Sequence, residues 1–194
     1  MARTLVLDAA DRLFYEHGIR AVGMDQVRDD SGVSLKRLYK MFPAKEQLAE
    51  AVLRRRDQTF QRAIAEHVAA QPDPRTALLS VFDFLYDWFS EPDYRGCPFI
   101  NAYGEMSTVS ESVTSAVTDQ KQAFDTFLAD LAERAGAARA LAEQLFILAN
   151  GAMVAAAVLR SPEPARQAQR VAAILLENVT PEGTPAEGPR DRSA

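Results

Sequence analysis

The residues of this chain best suited to do chemistry are equipped to bind rather than to react. Ser34, Lys36, Arg37, Tyr39 and Lys40 lie within the short run SLKRLYK, and Lys45 follows after Phe42-Pro43. An arginine fork matches the paired acceptors on a guanine edge. Lysine ammonium groups neutralise phosphates, and a serine or tyrosine hydroxyl can bond a phosphate oxygen. The set suits a phosphodiester polyanion. Catalysis has no comparable group: no nucleophile stands beside a base, and no glycine loop has phosphate-cradling spacing. His17 and His67 are too isolated to share a metal. Cys97 is the only cysteine, which excludes an intrachain disulfide and a CxxC framework and makes a reducing compartment the default. Its place before Pro98 allows two readings, a small buried filler or a thiol activated at a helix N-terminus. No cofactor is expected.

The elements that must hold those side chains are short helices. Val27 belongs to a helix over Met24–Ser31, which Gly32 ends because a residue without Cβ enters the left-handed conformation freely. Ser34 is then expected to cap a second helix, Leu35–Met41, with its hydroxyl. Leu38 and Phe42 share one face of it, while Lys36, Arg37 and Lys40 fall elsewhere. Pro43 stops it. A short helix held this way, with bases on its exposed side, has the shape of a major-groove reader. Charge distribution agrees. Residues 1–56 carry eleven Lys/Arg against eight Asp/Glu, a surplus of +3, whereas the whole chain is −5, so the remainder holds −8. That asymmetry is expected when one end alone meets a polyanion.

Helical periodicity continues to about residue 179, with no strand alternation and no internal repeat, so the fold class is all-α with about nine helices. Arg3–His17 comes first. A long helix starts near Ala44 and runs to about Ala69, with Leu48, Val52, Thr59, Ala63 and Val68 inward. Asp73-Pro74 caps the next, which carries Leu78, Val81, Phe82, Leu85, Trp88 and Phe89, with Asp83 and Asp87 on a solvated outer face. Pro98 opens a short helix, and helices over about Ser110–Ala135, Ala138–Arg160 and Ser161–Val179 complete the count. Three regions follow: a helix-turn-helix domain at 1–46, a larger helical domain at 47–180, and a tail at 181–194 with the composition of a disordered segment. Acidic residues at Asp8 and Asp11 argue against a signal peptide. The longest uncharged run, Gln144 to Leu159, is short for a membrane span. The expected setting is cytoplasmic, with no membrane partner.

Residues 5–50 resemble the N-terminal domain of TetR-family transcriptional regulators. The resemblance rests on AADRLFYEHG, the V-x-x-x-x-G-V-S turn from Val27 to Ser34, Leu38-Tyr39, and F-P-x-K-E-x-L from Phe42 to Leu48. It implies that the helix Leu35–Met41 reads double-stranded DNA. Carried over position by position, Ser34, Lys36, Arg37, Tyr39 and Lys40 would face the duplex, and Lys45 would grip a phosphate. The chain departs from the pattern where Val22 and Gly23 replace the usual hydroxyl residues and where Asp25 introduces a carboxylate.

The resemblance also implies a chamber for a small-molecule effector. The residues expected to form it are Phe82, Leu85, Trp88, Phe89, Phe99, Asn101, Tyr103, Gln120, Phe124, Phe127, Phe146 and Asn150, mostly apolar walls with a few amides. Gln120 sits between Val117 and Phe124 on an inward stripe, so either backbone or ligand must satisfy it. The helix over Ala138–Arg160 is apolar on two sides and must be buried on both. One side, expected at Leu141, Leu145, Leu148, Ala152, Ala155 and Leu159, would join Ala168, Ala172 and Leu175 in a homodimer interface. The expected function is a ligand-responsive repressor that binds a palindromic operator as a dimer and is released by a small apolar or aromatic effector. The alternatives are an activator, or a related small-molecule binder without operator contact.

Overall fold

The computed structural model describes residues 1–178; the tail at 181–194 and Val179 lie outside the described residues. Among these residues there are nine helices and no strand. The first three are α1 (Ala2–His17), α2 (Met24–Ser31) and α3 (Leu35–Met41). Then come α4 (Lys45–Ala69), α5 (Pro74–Phe89) and α6 (Pro98–Met106). The series ends with α7 (Glu111–Arg134), α8 (Arg139–Leu159) and α9 (Glu163–Glu177).

Helices α1 to α3 close over a small core of Val6, Ala10, Phe14, Val22, Val27, Leu38 and Phe42, all buried. Leu48 and Ala49 extend it into the first turns of α4. Gly32 is left-handed at φ 65°, where a Cβ would be strained, and its N–H caps α2 by donating to the Arg28 carbonyl at 3.0 Å. The Ser34 hydroxyl makes no cap bond, contrary to expectation. Ser34 is exposed, so its oxygen stays available on the outer surface.

Helix α4 continues from this head into the body, where it packs on α5 and α7. Its inward residues are Leu48, Ala49, Val52, Leu53, Ile64 and Val68. Thr59, expected inward, is exposed, with its hydroxyl donating to the Arg55 carbonyl at 3.1 Å. Asp73 caps α5 as its sequence position requires, accepting from the Arg75 and Thr76 amides at 3.0 Å each. The Thr76 hydroxyl adds a bond at 2.6 Å, and these bonds hold the Asp73 carboxyl below its ordinary range. Asp83 is not a free surface charge: it pairs with Arg166 and accepts from Gln169 at 2.9 Å, fastening α5 to α9.

The body core runs between α5, α7, α8 and α9, with Phe82, Leu85, Leu128, Leu131, Leu145 and Met153 among its fully buried side chains. By length and composition α8 could also cross a membrane. Here one side of it packs into the core against α7 and α9.

Candidate nucleic-acid interface

On α3 the buried Leu38 and the adjoining Phe42 anchor one face, while Ser34, Lys36, Arg37, Tyr39 and Lys40 lie on the other, all of them exposed. Tyr39 keeps 46% of its surface open. Neither Lys36, Arg37 nor Lys40 forms an ion pair among the described residues. Most arginines on and beside the head are treated differently, Arg20 being exposed and without an ion pair among the described residues. Arg12 pairs with Asp30, and Arg28 with Asp25 at 2.5 Å and Asp29 at 2.7 Å. Arg55 binds Asp8 at 2.6 Å, Arg56 binds Asp11, and Arg3 stacks on the Phe42 ring. Apart from Arg20, the unpaired cations of the head thus gather on α3.

These pairings also resolve the misplaced carboxylate. Asp25 is held by Arg28, one turn along α2, so its charge is offset beside the candidate surface. Gly23 supplies no capping oxygen, but its own N–H donates to Gln26 Oε1 at 2.7 Å, which secures the entry to α2.

Lys45 has a different position from the one expected. Its ammonium donates to the carbonyls of Ile19, Arg20 and Val22 at 3.0, 3.3 and 3.2 Å. All its donors close the α1–α2 loop onto the start of α4, leaving none for a phosphate. It positions the head instead of facing outward.

Head and body meet at a polar seam. Tyr15 Oη donates to the Gly96 carbonyl at 2.9 Å and accepts from the Arg95 amide at 2.8 Å. Burial pushes its pKa up, and Arg56 lies over its ring at 4.3 Å. Glu105 on α6 accepts from the Arg20 amide at 2.9 Å. Residues of α6 thus touch the α1–α2 region directly.

The residues expected to wall one chamber divide between the core and separate clefts. Phe82, Leu85, Phe89, Phe99, Phe124 and Gln120 are buried. Gln120 is 3% exposed, and its Oε1 has no partner among the described residues. Trp88 and Phe99 border a cleft of about 710 Å³ between α1, α4, α5 and α6, together with Tyr15, Phe60 and Phe84. Asn101 borders a smaller cleft of about 260 Å³ beneath α1, and its amide donates to the Arg95 carbonyl at 3.1 Å. Tyr103, Phe146 and Asn150 border an open groove of about 590 Å³ between α6, α7 and α8. Phe127 is half-buried and borders none of these three. The surplus of aromatic rings goes largely into mutual packing. Phe60 meets Phe84, Trp88 and Phe124 at centroid distances of 5.6, 5.7 and 5.8 Å. Sequence reasoning misses Phe60, because it stands among charged and polar neighbours. Cys97 is 3% exposed.

The residues expected at the dimer interface differ in burial. Leu141, Leu145, Ala152, Ala168 and Ala172 are buried within the chain, where α8 and α9 meet the core. Leu148, Ala155 and Leu175 are half-buried, and of the set only Leu159 is fully open. The unpartnered apolar surface lies one helical step around: Ile147, Val154 and Val158 on α8, with Val171 and Ile174 on α9. Ile147 and Val158 are 70% and 75% exposed. Two apolar sides are legible on α8, but periodicity does not rank them, and the core takes the Leu-rich one.

Comparison with known proteins follows the same division. The family described as bacterial regulatory proteins, tetR family, matches residues 6–52, and the tetracyclin repressor-like C-terminal domain matches residues 74–172. The HTH-type transcriptional activator FasR of Mycolicibacterium smegmatis is 32% identical over 126 residues, covering 60% of this chain and 57% of FasR. The HTH-type transcriptional regulator LmrA of Bacillus subtilis is 27% identical over 162 residues, covering 82% of this chain and 86% of LmrA. The crystal structure of a TetR-family transcriptional regulator from Streptomyces coelicolor superposes with a TM-score of 0.85 at 28% identity, covering 92% of this chain and 89% of that one.

Proposed function

Because the chain belongs to the TetR family of bacterial regulatory proteins, and is thus a DNA-binding transcriptional regulator and not an enzyme, we propose that it acts as a dimeric, ligand-responsive repressor. The observation that carries the DNA contact is the concentration of unpaired cations on the outer face of α3 while neighbouring arginines are neutralised. In this reading Arg37 takes a base edge, Lys36 and Lys40 take phosphates, and the Ser34 and Tyr39 hydroxyls add phosphate contacts. Residues 1–46 form the reading head and 47–180 the sensing and pairing body.

Pairing would use the exposed valine and isoleucine face of α8 and α9 against its own copy, a self-complementary apolar patch of the kind a two-fold interface needs. Two α3 helices would then enter successive major grooves roughly 34–36 Å apart on a palindromic operator. A repressor follows most simply, since a dimer seated on a promoter obstructs transcription. An apolar or aromatic effector releases it by binding better to a state with another head spacing, through α4 and the α6 seam at Tyr15 and Glu105. Activation is the second reading, favoured by the naming of FasR as an activator.

Mobility-shift assays on DNA upstream of the gene, with and without candidate effectors, test this. The expected result is a salt-sensitive complex on a palindrome that an effector dissolves. Binding without salt dependence, or to no palindrome there, contradicts it.

A further inference from the structure

Lys121 is the sole lysine outside the head, and its surroundings are unusual for an ammonium group. It is half-buried on α7, in the groove of about 590 Å³ between α6, α7 and α8. Nζ donates to Asn150 Oδ1 at 2.7 Å and lies 3.6 Å from Cys97 Sγ. It forms no ion pair among the described residues. Asp125, the one carboxylate bordering the same groove, pairs with Arg139. Asn150 is itself fixed by donating to the Phe146 carbonyl at 2.8 Å, so its oxygen is held toward the lysine. Much of the remaining groove wall is apolar: Ile100, Tyr103, Val117 and Phe146.

A partly buried cation without a counter-charge is incompletely compensated, and an anion beside it is favoured. An ammonium has three donors, and these two partners leave one open. A volume of about 590 Å³ lies in the range that receives small organic molecules. We infer that this groove binds an organic monoanion with an apolar body, its carboxylate on Lys121 and its hydrocarbon portion against Ile100, Tyr103 and Phe146. This names the charge class of the effector proposed above and rests on that reading only for the effect of binding on DNA. An alkyl chain or an aromatic ring can carry the anionic head, and both share the same recognition chemistry.

The test is calorimetric titration of the full chain with decanoate, 1-naphthoate, decanol and decyltrimethylammonium. At least one of the two carboxylates is expected to bind about tenfold or more tightly than decanol, and the cation not at all. Lys121→Gln should remove the preference for the anion, and Lys121→Arg should restore it. Melting curves check that both variants fold, and the wild-type ligand series decides the matter even where Lys121→Gln does not. Equal binding of carboxylates and alcohol, preference for the cation, or an anion preference that survives Lys121→Gln overturns the inference. A mobility shift on the upstream DNA with the same preparation separates the two claims. DNA binding without anion preference overturns this inference alone, whereas anion preference without DNA binding overturns the regulator reading alone.

Discussion

The outer faces of α3 and α8 are both incomplete, in opposite ways. On α3, Lys36, Arg37 and Lys40 stand without carboxylates, although the head has carboxylates enough to neutralise Arg12, Arg28, Arg55 and Arg56. On α8, Ile147, Val154 and Val158 stand in solvent although the same helix has a well-filled inner side of Leu141, Leu145 and Met153. A bare cationic face matches a polyanion and a bare aliphatic face matches another aliphatic face. Each surface is recognisable by what the fold leaves unsatisfied there, more than by which residue types it contains.

Disrupting the aliphatic face should have the largest effect. Val154→Asp with Val158→Asp places carboxylates in the proposed interface. The expected outcome is a monomer by sedimentation and a loss of operator affinity of about 100-fold or more, because the two heads no longer bind together. A variant that remains dimeric would show that pairing uses another surface.

Next in size is Arg37→Ala. Removing a bidentate bond to a base edge should cost about 1–3 kcal/mol per half-site and relax preference at one base pair, read from affinities for single-substituted operators. Lys45→Met probes the same contrast from the other side, because this lysine is a cation already satisfied by the protein. It should lower stability by roughly 1–3 kcal/mol in chemical denaturation and leave the salt slope of DNA binding unchanged. The smallest effect belongs to the seam. Tyr15→Phe removes the bonds to Arg95 and Gly96 and should cost about 1 kcal/mol of stability, while loosening the coupling between effector and DNA binding.

Much of the fold is legible in the sequence because its signals are local. Gly32, Pro43, Asp73-Pro74 and Pro98 mark helix limits through conformational and capping rules that act within a few residues, and the observed helices follow them. The outward set on α3 is legible for the same reason, since Leu38 and Phe42 fix which face turns inward. What depends on distant partners is not. Lys45 looks like a free cation until the Ile19, Arg20 and Val22 carbonyls fold against it. Asp83 looks solvated until α9 brings Arg166 and Gln169 to it. Periodicity gives α8 two apolar sides without saying which meets the core, and counting aromatic rings cannot distinguish a chamber wall from rings packed on one another. Lys121 does leave a trace, as the only lysine beyond residue 45.

The most direct measurement is the salt dependence of binding to a palindromic operator, compared between the native chain and a variant carrying Lys36→Ala, Arg37→Ala and Lys40→Ala. Neutralised phosphates release counterions, so the logarithm of affinity should fall steeply with the logarithm of salt for the native protein. The slope should be shallower by about 0.9 for each phosphate that the variant no longer neutralises. Equal slopes and equal affinities for the two proteins would contradict the assignment of α3 as the surface that meets DNA.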